Sequence, residues 1–299
     1  MFLIPLKYQC LLCAVENDEI KIIQRFPIPA QSQTIIVNNT YIVSLFEGIS
    51  IFDLQVSLLK NIKCDVMPTC IHSKGPVVYL GGQSDKEGPS FTEFFSMINL
   101  ESRDYAIKTI DIPISMGYGK AIDDILILGN RLILVDNLIY PKYLFEYDIS
   151  IPNNPIHIKT NELENNGTYE HIVRGDINER WMVLLSATFG MGGASDHITI
   201  AGKKKGILSI HRNTFEILEY RFGKSALKFM PNAFNDICLI NDILYVLMGV
   251  KMYRINLNGR ISKSKLEPVK SRLRSIKKLI KTPCKRLIAV SDQRFECVV

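Results

Sequence analysis

Four short stretches carry residue types that could do chemistry. Ser195, Asp196 and His197 supply a hydroxyl, a carboxylate and an imidazole, the parts of a nucleophilic triad. A triad is a geometry in space, which adjacency along the chain does not provide, and no G-x-S-x-G elbow or H-E-x-x-H motif accompanies it. Cys10 and Cys13 have the spacing of half a metal site. On a strand, residues three apart point to opposite faces, so the pair reads as buried thiols; Cys64, Cys70 and His72 fall between repeat units. Gly223-Lys224-Ser225 ends like a phosphate loop, but Leu218 stands where the first glycine belongs. Gly190-x-Gly192-x-x-Ser195 lacks the last glycine of a dinucleotide fingerprint. The sequence therefore assigns no catalytic residue, no metal site and no cofactor. A central-channel site is the enzymatic alternative. His72, His157, His171, His197 and His211, with Asp123, Asp124, Asp136 and Asp196, are its available groups.

The elements that would position such groups form a repeat. Seven pairs of short apolar runs recur: 11–15 with 20–26, 41–45 with 49–54, 77–80 with 94–100, 131–135 with 144–149, 181–185 with 207–212, 243–248 with 251–257, and 286–290 with 294–299. Each first run is continuously apolar and too short for a helix core, as in strands buried on both faces. Each second run alternates, as in a strand nearer solvent. Further runs precede the pairs (34–40, 124–130, 236–242, 278–284) and more polar runs follow them (57–63, 104–112, 215–222). Asn258-Gly259 is a hairpin signal joining 251–257 to the next run. The unit is a four-stranded antiparallel sheet, buried first and polar last.

Such a unit at this period predicts an all-β fold: a β-propeller of six or seven four-stranded antiparallel blades, one domain over 1–299, its ring closed by the N- and C-terminal strands. Residues 268–281 match a helix through Val269, Leu273, Ile276 and Ile280, but read better as a connection followed by a strand. One tryptophan and no recurring G-H…W-D exclude a standard WD40 array, and the kelch pattern is incomplete. The stretch LFEYDISIPNNPIHI (144–158) resembles the strand-plus-proline-turn of LVIVD-type bacterial propeller repeats. That resemblance covers one unit and implies architecture only.

Composition bounds the function. At 47% hydrophobic and 22% charged residues the chain is globular. No stretch is apolar enough to span a bilayer, and the apolar N-terminus, broken by Lys7 and Gln9, reads as strand, with a signal peptide as the lesser alternative. Seven scattered cysteines point to free thiols and a cytoplasmic location.

Charge is local. Between Arg260 and Arg286 lie eleven of the 36 Lys and Arg, against one of the 30 Asp and Glu. Arg272, Arg274, Lys277, Lys278, Lys281, Lys285 and Arg286 are the expected electropositive patch, suited to an acidic protein surface, nucleic acid or anionic lipid. Two long glycine-bearing connections, 81–93 and 186–206, fall between the paired runs of the third and fifth units. They nominate Asp85, Phe91, Phe189, Met191, Asp196, His197, Lys203, Lys204 and Lys205 as partner contacts. The expectation is a non-catalytic protein-interaction or scaffold subunit, with the propeller enzyme and the electrostatic binder through 260–286 as alternatives.

Overall fold

A computed structural model describes the chain except residues 18, 29–32, 46–47, 65, 85–91, 103, 114–120, 137–141, 164–169, 189–196, 204–214, 221–235, 259–266 and 299. The described residues form 26 strands and no helix. Consecutive strands pair in chain order into seven small antiparallel sheets, five of four strands and two terminal ones of three. Sheet 1 holds Phe2–Leu6, Gln9–Glu16 and Glu19–Phe26, and sheet 2 Thr34–Val37, Tyr41–Ser44, Ile49–Asp53 and Leu58–Ile62. Sheet 3 holds Val66–Lys74, Val77–Ser84, Thr92–Asn99 and Ile107–Thr109. Sheet 4 holds Ile122–Leu128, Arg131–Asp136, Lys142–Asp148 and Ile156–Leu163, and sheet 5 Glu170–Ile177, Trp181–Thr188, His197–Lys203 and Phe215–Tyr220. Sheet 6 holds Asp236–Ile240, Ile243–Met248, Lys251–Asn256 and Glu267–Val269, and sheet 7 Lys278–Lys281, Leu287–Val290 and Phe295–Cys297. These meandering sheets are the blades of a β-propeller, the all-β fold that the repeat predicts.

The expected gradient is present. The second strands of sheets 4, 6 and 7 are almost wholly buried, while the last strands of sheets 2, 3 and 6 are mainly exposed. A tight turn precedes each second strand. Gly75 and Gly129 take positive φ there, Asn241 occupies the same turn position with φ of 53°, and Lys285 takes φ of 60° at the end of the longer turn of sheet 7. A side chain costs energy in that region, least for Asn.

The chain divides into two compact units, one of residues 1–3 and 8–169, the other of 4–7 and 170–299. In the first, separate cores fill the spaces between sheets 1 and 2, 2 and 3, and 3 and 4. In the second, cores lie between sheets 5 and 6 and between sheets 6 and 7. The N-terminal segment 4–7 belongs to the second unit, where Lys7 N–H donates to Asp292 O at 3.0 Å.

Four expectations are corrected. The partner of the run at 181–185 is His197–Lys203, in the register Trp181↔Gly202 to Ser186↔His197, and not 207–212. The connection narrows to 189–196. Gly81 and Gly82 lie inside a strand opposite Phe95 and Phe94, so the third unit's connection narrows to 85–91. Glycine there answers close packing: a Cβ on Gly81 would stand 2.6 Å from Ile122 Cγ2 and 2.8 Å from Cys70 Sγ. Cys70 and His72 lie on the first strand of sheet 3 and not between units. The terminal sheets have three strands each and not four. Residues 268–281 are the end of one strand, an irregular crossing and a second strand, which is the reading preferred over a helix.

Candidate functional site

The first strands of sheets 5, 6 and 7 carry a connected set of charges. Arg174 donates from one guanidinium nitrogen to Asp236 Oδ1 at 2.7 Å, to Asp236 Oδ2 at 2.8 Å and to Leu279 O at 2.9 Å. Asp236 also accepts from Ile237 N–H at 2.9 Å and from Leu279 N–H at 2.7 Å. Two residues on from Arg174 in the same strand, Asp176 accepts from Ile177 N–H at 2.9 Å and Leu239 N–H at 2.7 Å, while Lys281 Nζ donates to Asp176 Oδ1 at 2.7 Å and to Leu239 O at 3.2 Å.

Ladder register explains the alignment. Cys70, Asp124, Arg174, Asp236 and Lys278 occupy the same rung of their sheets, facing Gly81, Val135, Leu185, Leu247 and Val290. In sheets 3, 4 and 5 a bulge immediately precedes that rung, between Pro68 and Cys70, Ile122 and Asp124, and Ile172 and Arg174. A bulge re-aims the next side chain. The rung is thus neutral in sheet 3, then alternates in sign from sheet 4 to sheet 7.

This arrangement does structural chemistry. Both oxygens of Asp236 and of Asp176 are engaged by backbone N–H groups and cations, so these carboxylates are already spent on holding the strands together. Burial, then the Asp176 charge, pushes the neighbouring Cys238 thiol up to about 12, so it stays protonated and unreactive at neutral pH. Cys13 is raised to about 11 by burial, and Cys70 is raised by burial and then by Asp124 and Asp123. Among the described residues no group of three or more His, Cys, Asp or Glu is placed to hold a metal ion.

The second unit also has an open groove of about 220 Å³. It lies between the last two strands of sheet 6 and the irregular crossing 270–277. Met252 pairs with Val269 across its floor, joined by Leu273 and Ile276. Met252 and Ile276 are each only 2% exposed, so the floor is fixed core. Lys251 and Arg274 line the groove with exposed side chains. Glu296 holds the crossing in place, accepting from Ser271 Oγ at 2.7 Å and Arg272 N–H at 2.8 Å; Ser271 Oγ in turn accepts from Leu273 N–H at 3.0 Å.

The residues nominated from sequence fall as follows. Arg272, Arg274, Lys277 and Lys285 are exposed, and Lys278, Lys281 and Arg286 are half-buried. Lys281 faces inward onto Asp176, and Lys285 Nζ donates to Asn241 Oδ1 at 3.3 Å. Asp85, Phe91, Phe189, Met191, Asp196, Lys204 and Lys205 lie outside the described residues. His197 and Lys203 open and close the third strand of sheet 5. Of the channel candidates, Asp123 and Asp124 come together beside Cys70, whose thiol feels both charges. His72 is exposed, and His157 is bound to Thr160 Oγ1 at 3.0 Å with its ring edge-on to Tyr147. Asp196 and His211 lie outside the described residues.

Two features escaped the sequence: the groove, because Lys251 and Arg274 are far apart in the chain, and the charged rung, because its spacing is set by bulges.

No family model matches the chain, LVIVD repeats included, and no curated protein matches its sequence. Solved structures do share its fold. The extracellular domain of a Bacteroides thetaiotaomicron protein assigned as a one-component system, BT4673, aligns with TM-score 0.56 and 11% identity; the alignment covers 100% of this chain and 38% of that one. The periplasmic gluconolactonase PpgL of Pseudomonas aeruginosa aligns with TM-score 0.56 and 9% identity over 99% of this chain and 93% of that one. KlAtg21, in complex with the coiled coil of AgAtg16, aligns with TM-score 0.52 and 13% identity over 87% and 76%. At these identities the likeness is one of fold alone, and these neighbours include an enzyme and a partner-bound protein.

Proposed function

We propose that this chain is a non-catalytic partner-binding propeller, a subunit or scaffold that holds another protein in a larger assembly. The observation that carries the reading is the groove beside residues 270–277, where an apolar floor is bordered by exposed cations. A partly exposed apolar strip, here Val269 and Leu273 over the buried Met252 and Ile276, rimmed by charge is the usual anatomy of a docking site. Its volume of about 220 Å³ falls below the roughly 300–1,000 Å³ of small-molecule sites, which favours a side-chain anchor over a whole ligand. The engaged carboxylates Asp176 and Asp236 weigh against a channel catalyst among the described residues of the second unit. The fold neighbour captured with a coiled coil is in keeping with such a role. The hairpin connections with Asp85, Phe91, Phe189, Met191, Asp196 and His197, and the cluster Lys203 to Lys205, are proposed as an additional contact.

The test is purification of the full chain, tagged, from its native host at physiological salt, followed by size exclusion and mass spectrometry. A defined protein co-eluting in stoichiometric amount is the expected result. A bait that elutes alone, or with only abundant bystanders at substoichiometric levels, overturns the reading.

A further inference from the structure

Lys251, Lys270, Arg272 and Arg274 form a cluster of exposed cations at and beside the groove. Among the described residues none of the four has an ion-pair partner. That is not a general habit of the second unit. Arg254 pairs with Glu267 at 2.8 Å, Arg180 with Asp242 at 2.6 Å, Lys281 with Asp176 and Arg174 with Asp236. The cations around the groove face solvent, as do Lys277 and Arg294 elsewhere in the unit; what sets the four apart is their grouping beside one groove. The crossing that carries three of them is pinned by Glu296, so the groove wall is held in shape before anything binds.

Resting on the partner-binding reading, the geometry points to one class of occupant: an extended acidic peptide segment with one bulky apolar residue. Its apolar side chain rests against the half-buried Val269 and Leu273, over the buried floor of Met252 and Ile276. Its flanking carboxylates meet Lys251 on one side and Arg274 on the other, with Lys270 and Arg272 extending the positive rim. A groove of this size admits one or two side chains and not a folded surface. The carboxylates give on-rate and orientation, while the buried anchor gives residence time. Nucleic acid fits the charge but leaves the apolar floor unfilled; the groove's lining has one aromatic ring, Tyr253, and the segment 260–286 adds none.

The probe is a fluorescein-labelled peptide with one Phe flanked on both sides by Asp and Glu, read by fluorescence anisotropy against the full chain. The expected results are saturable binding, a loss of about tenfold or more in the double variant Lys251→Glu/Arg274→Glu, and a similar loss when the peptide's Phe is replaced by Ser. Both substituted side chains are exposed, and an unchanged melting temperature shows that the variant folds. Equal binding by the variant overturns the proposal. So does equal binding of the Phe-to-Ser peptide, which reduces the effect to bulk charge, or tighter binding of a single-stranded oligonucleotide, which makes the site a polyanion binder. The same double variant used as bait separates this failure from that of the broader reading. A native partner retained by it places the interface elsewhere, whereas a wild-type chain that captures nothing removes the partner-binding function itself.

Discussion

Sheets 3 and 4, in residues 8–169, are joined by packed rings and close backbone approach, whereas sheets 5, 6 and 7, in residues 170–299, add charge to their apolar cores. Between sheets 3 and 4, Tyr79, Phe95, Tyr147 and His157 run in a row with ring centroids 6.1, 5.2 and 5.4 Å apart. Buried tyrosine hydroxyls end on backbone oxygens, Tyr79 on Pro152 at 2.9 Å and Tyr147 on Asp111 at 3.1 Å. At the shared rung the first strands meet through the absence of a side chain on Gly81 and through Thr69 Oγ1, which donates to Ile122 O at 3.1 Å. Between sheets 5, 6 and 7 that rung holds Arg174 and Asp236, and Asp176 with Lys281 stands beside it. One repeat geometry therefore accepts two kinds of joint. The apolar joint is non-directional and depends on volume; the ionic joint is directional and depends on every partner being present.

The largest expected effect breaks the apolar joint. Phe95 is fully buried between two rings. Phe95→Ala should lower stability by about 3–5 kcal/mol, the usual cost of such a cavity, read as a shift in the urea midpoint at unchanged slope. Hydrogen exchange should rise first in 77–160 and leave 236–290 protected. A loss of protection spread evenly over both units would contradict the separation of the joints.

The ionic joint is tested by Arg174→Met, which keeps most of the stem and removes the charge. Asp236 would retain Ile237 N–H and Leu279 N–H but lose, in a nearly buried position, its cationic partner among the described residues. Truncating one side of a buried pair costs about 3–5 kcal/mol. Because the Arg174 side chain is 29% exposed, the lower end, about 3 kcal/mol, is expected. Exchange should rise in 236–240 and 278–281. A cost under about 0.5 kcal/mol would show that the pair behaves as a surface bridge and that the contrast between the units is one of appearance.

These joints were not equally legible in the sequence. The blades were, because their second strands are unbroken apolar runs such as Leu132 to Val135 and Leu244 to Leu247, buried on both faces. Of the rings of the apolar joint, Tyr79 sits in such a run and Phe95 and Tyr147 in the third strands that follow, and their register follows once the strands are placed. The ionic rung was hidden. Asp124, Arg174, Asp236 and Lys278 share no constant spacing, and bulges shift which residue reaches the rung. Lys281 looked like one more solvated lysine in a basic run and is an inward ligand of Asp176. Gly81 and Gly82 were read as loop because glycine usually marks one; here the strand continues and the neighbouring backbone needs the room. The groove was invisible for a related reason. Its two walls come from strands of one sheet and from the crossing into the next, and only folding brings Lys251 to Arg274.

The smallest effect sharpens the comparison at the turns. In the first unit the turn of sheet 3 reaches sheet 4 through Lys74, whose Nζ donates to Asn130 Oδ1 at 2.5 Å and to Ile149 O at 3.0 Å. In the second unit the equivalent turn is held by a set, Arg180 and Trp181 on Asp242 and Asn178 on Asn241 O. Trp181→Phe removes the Nε1–H bond to Asp242 Oδ1, 2.9 Å long, and leaves the ring. About 1.5 kcal/mol should be lost at pH 7, the low end for a hydrogen bond to a charged group. The pH dependence gives the sign. The hydrogen bond from Arg180, and then that from Trp181, hold the Asp242 carboxyl below its ordinary value. A carboxyl depressed on folding stabilises the native state above its unfolded pKa of about 3.9 and loses that contribution as pH falls through the folded value. The gap between wild type and Trp181→Phe should therefore be widest at neutral pH and narrow below about pH 4. A gap that widens toward acid would mean that the indole acts through packing against the core of sheets 5 and 6, and that the turns of the second unit are apolar joints after all.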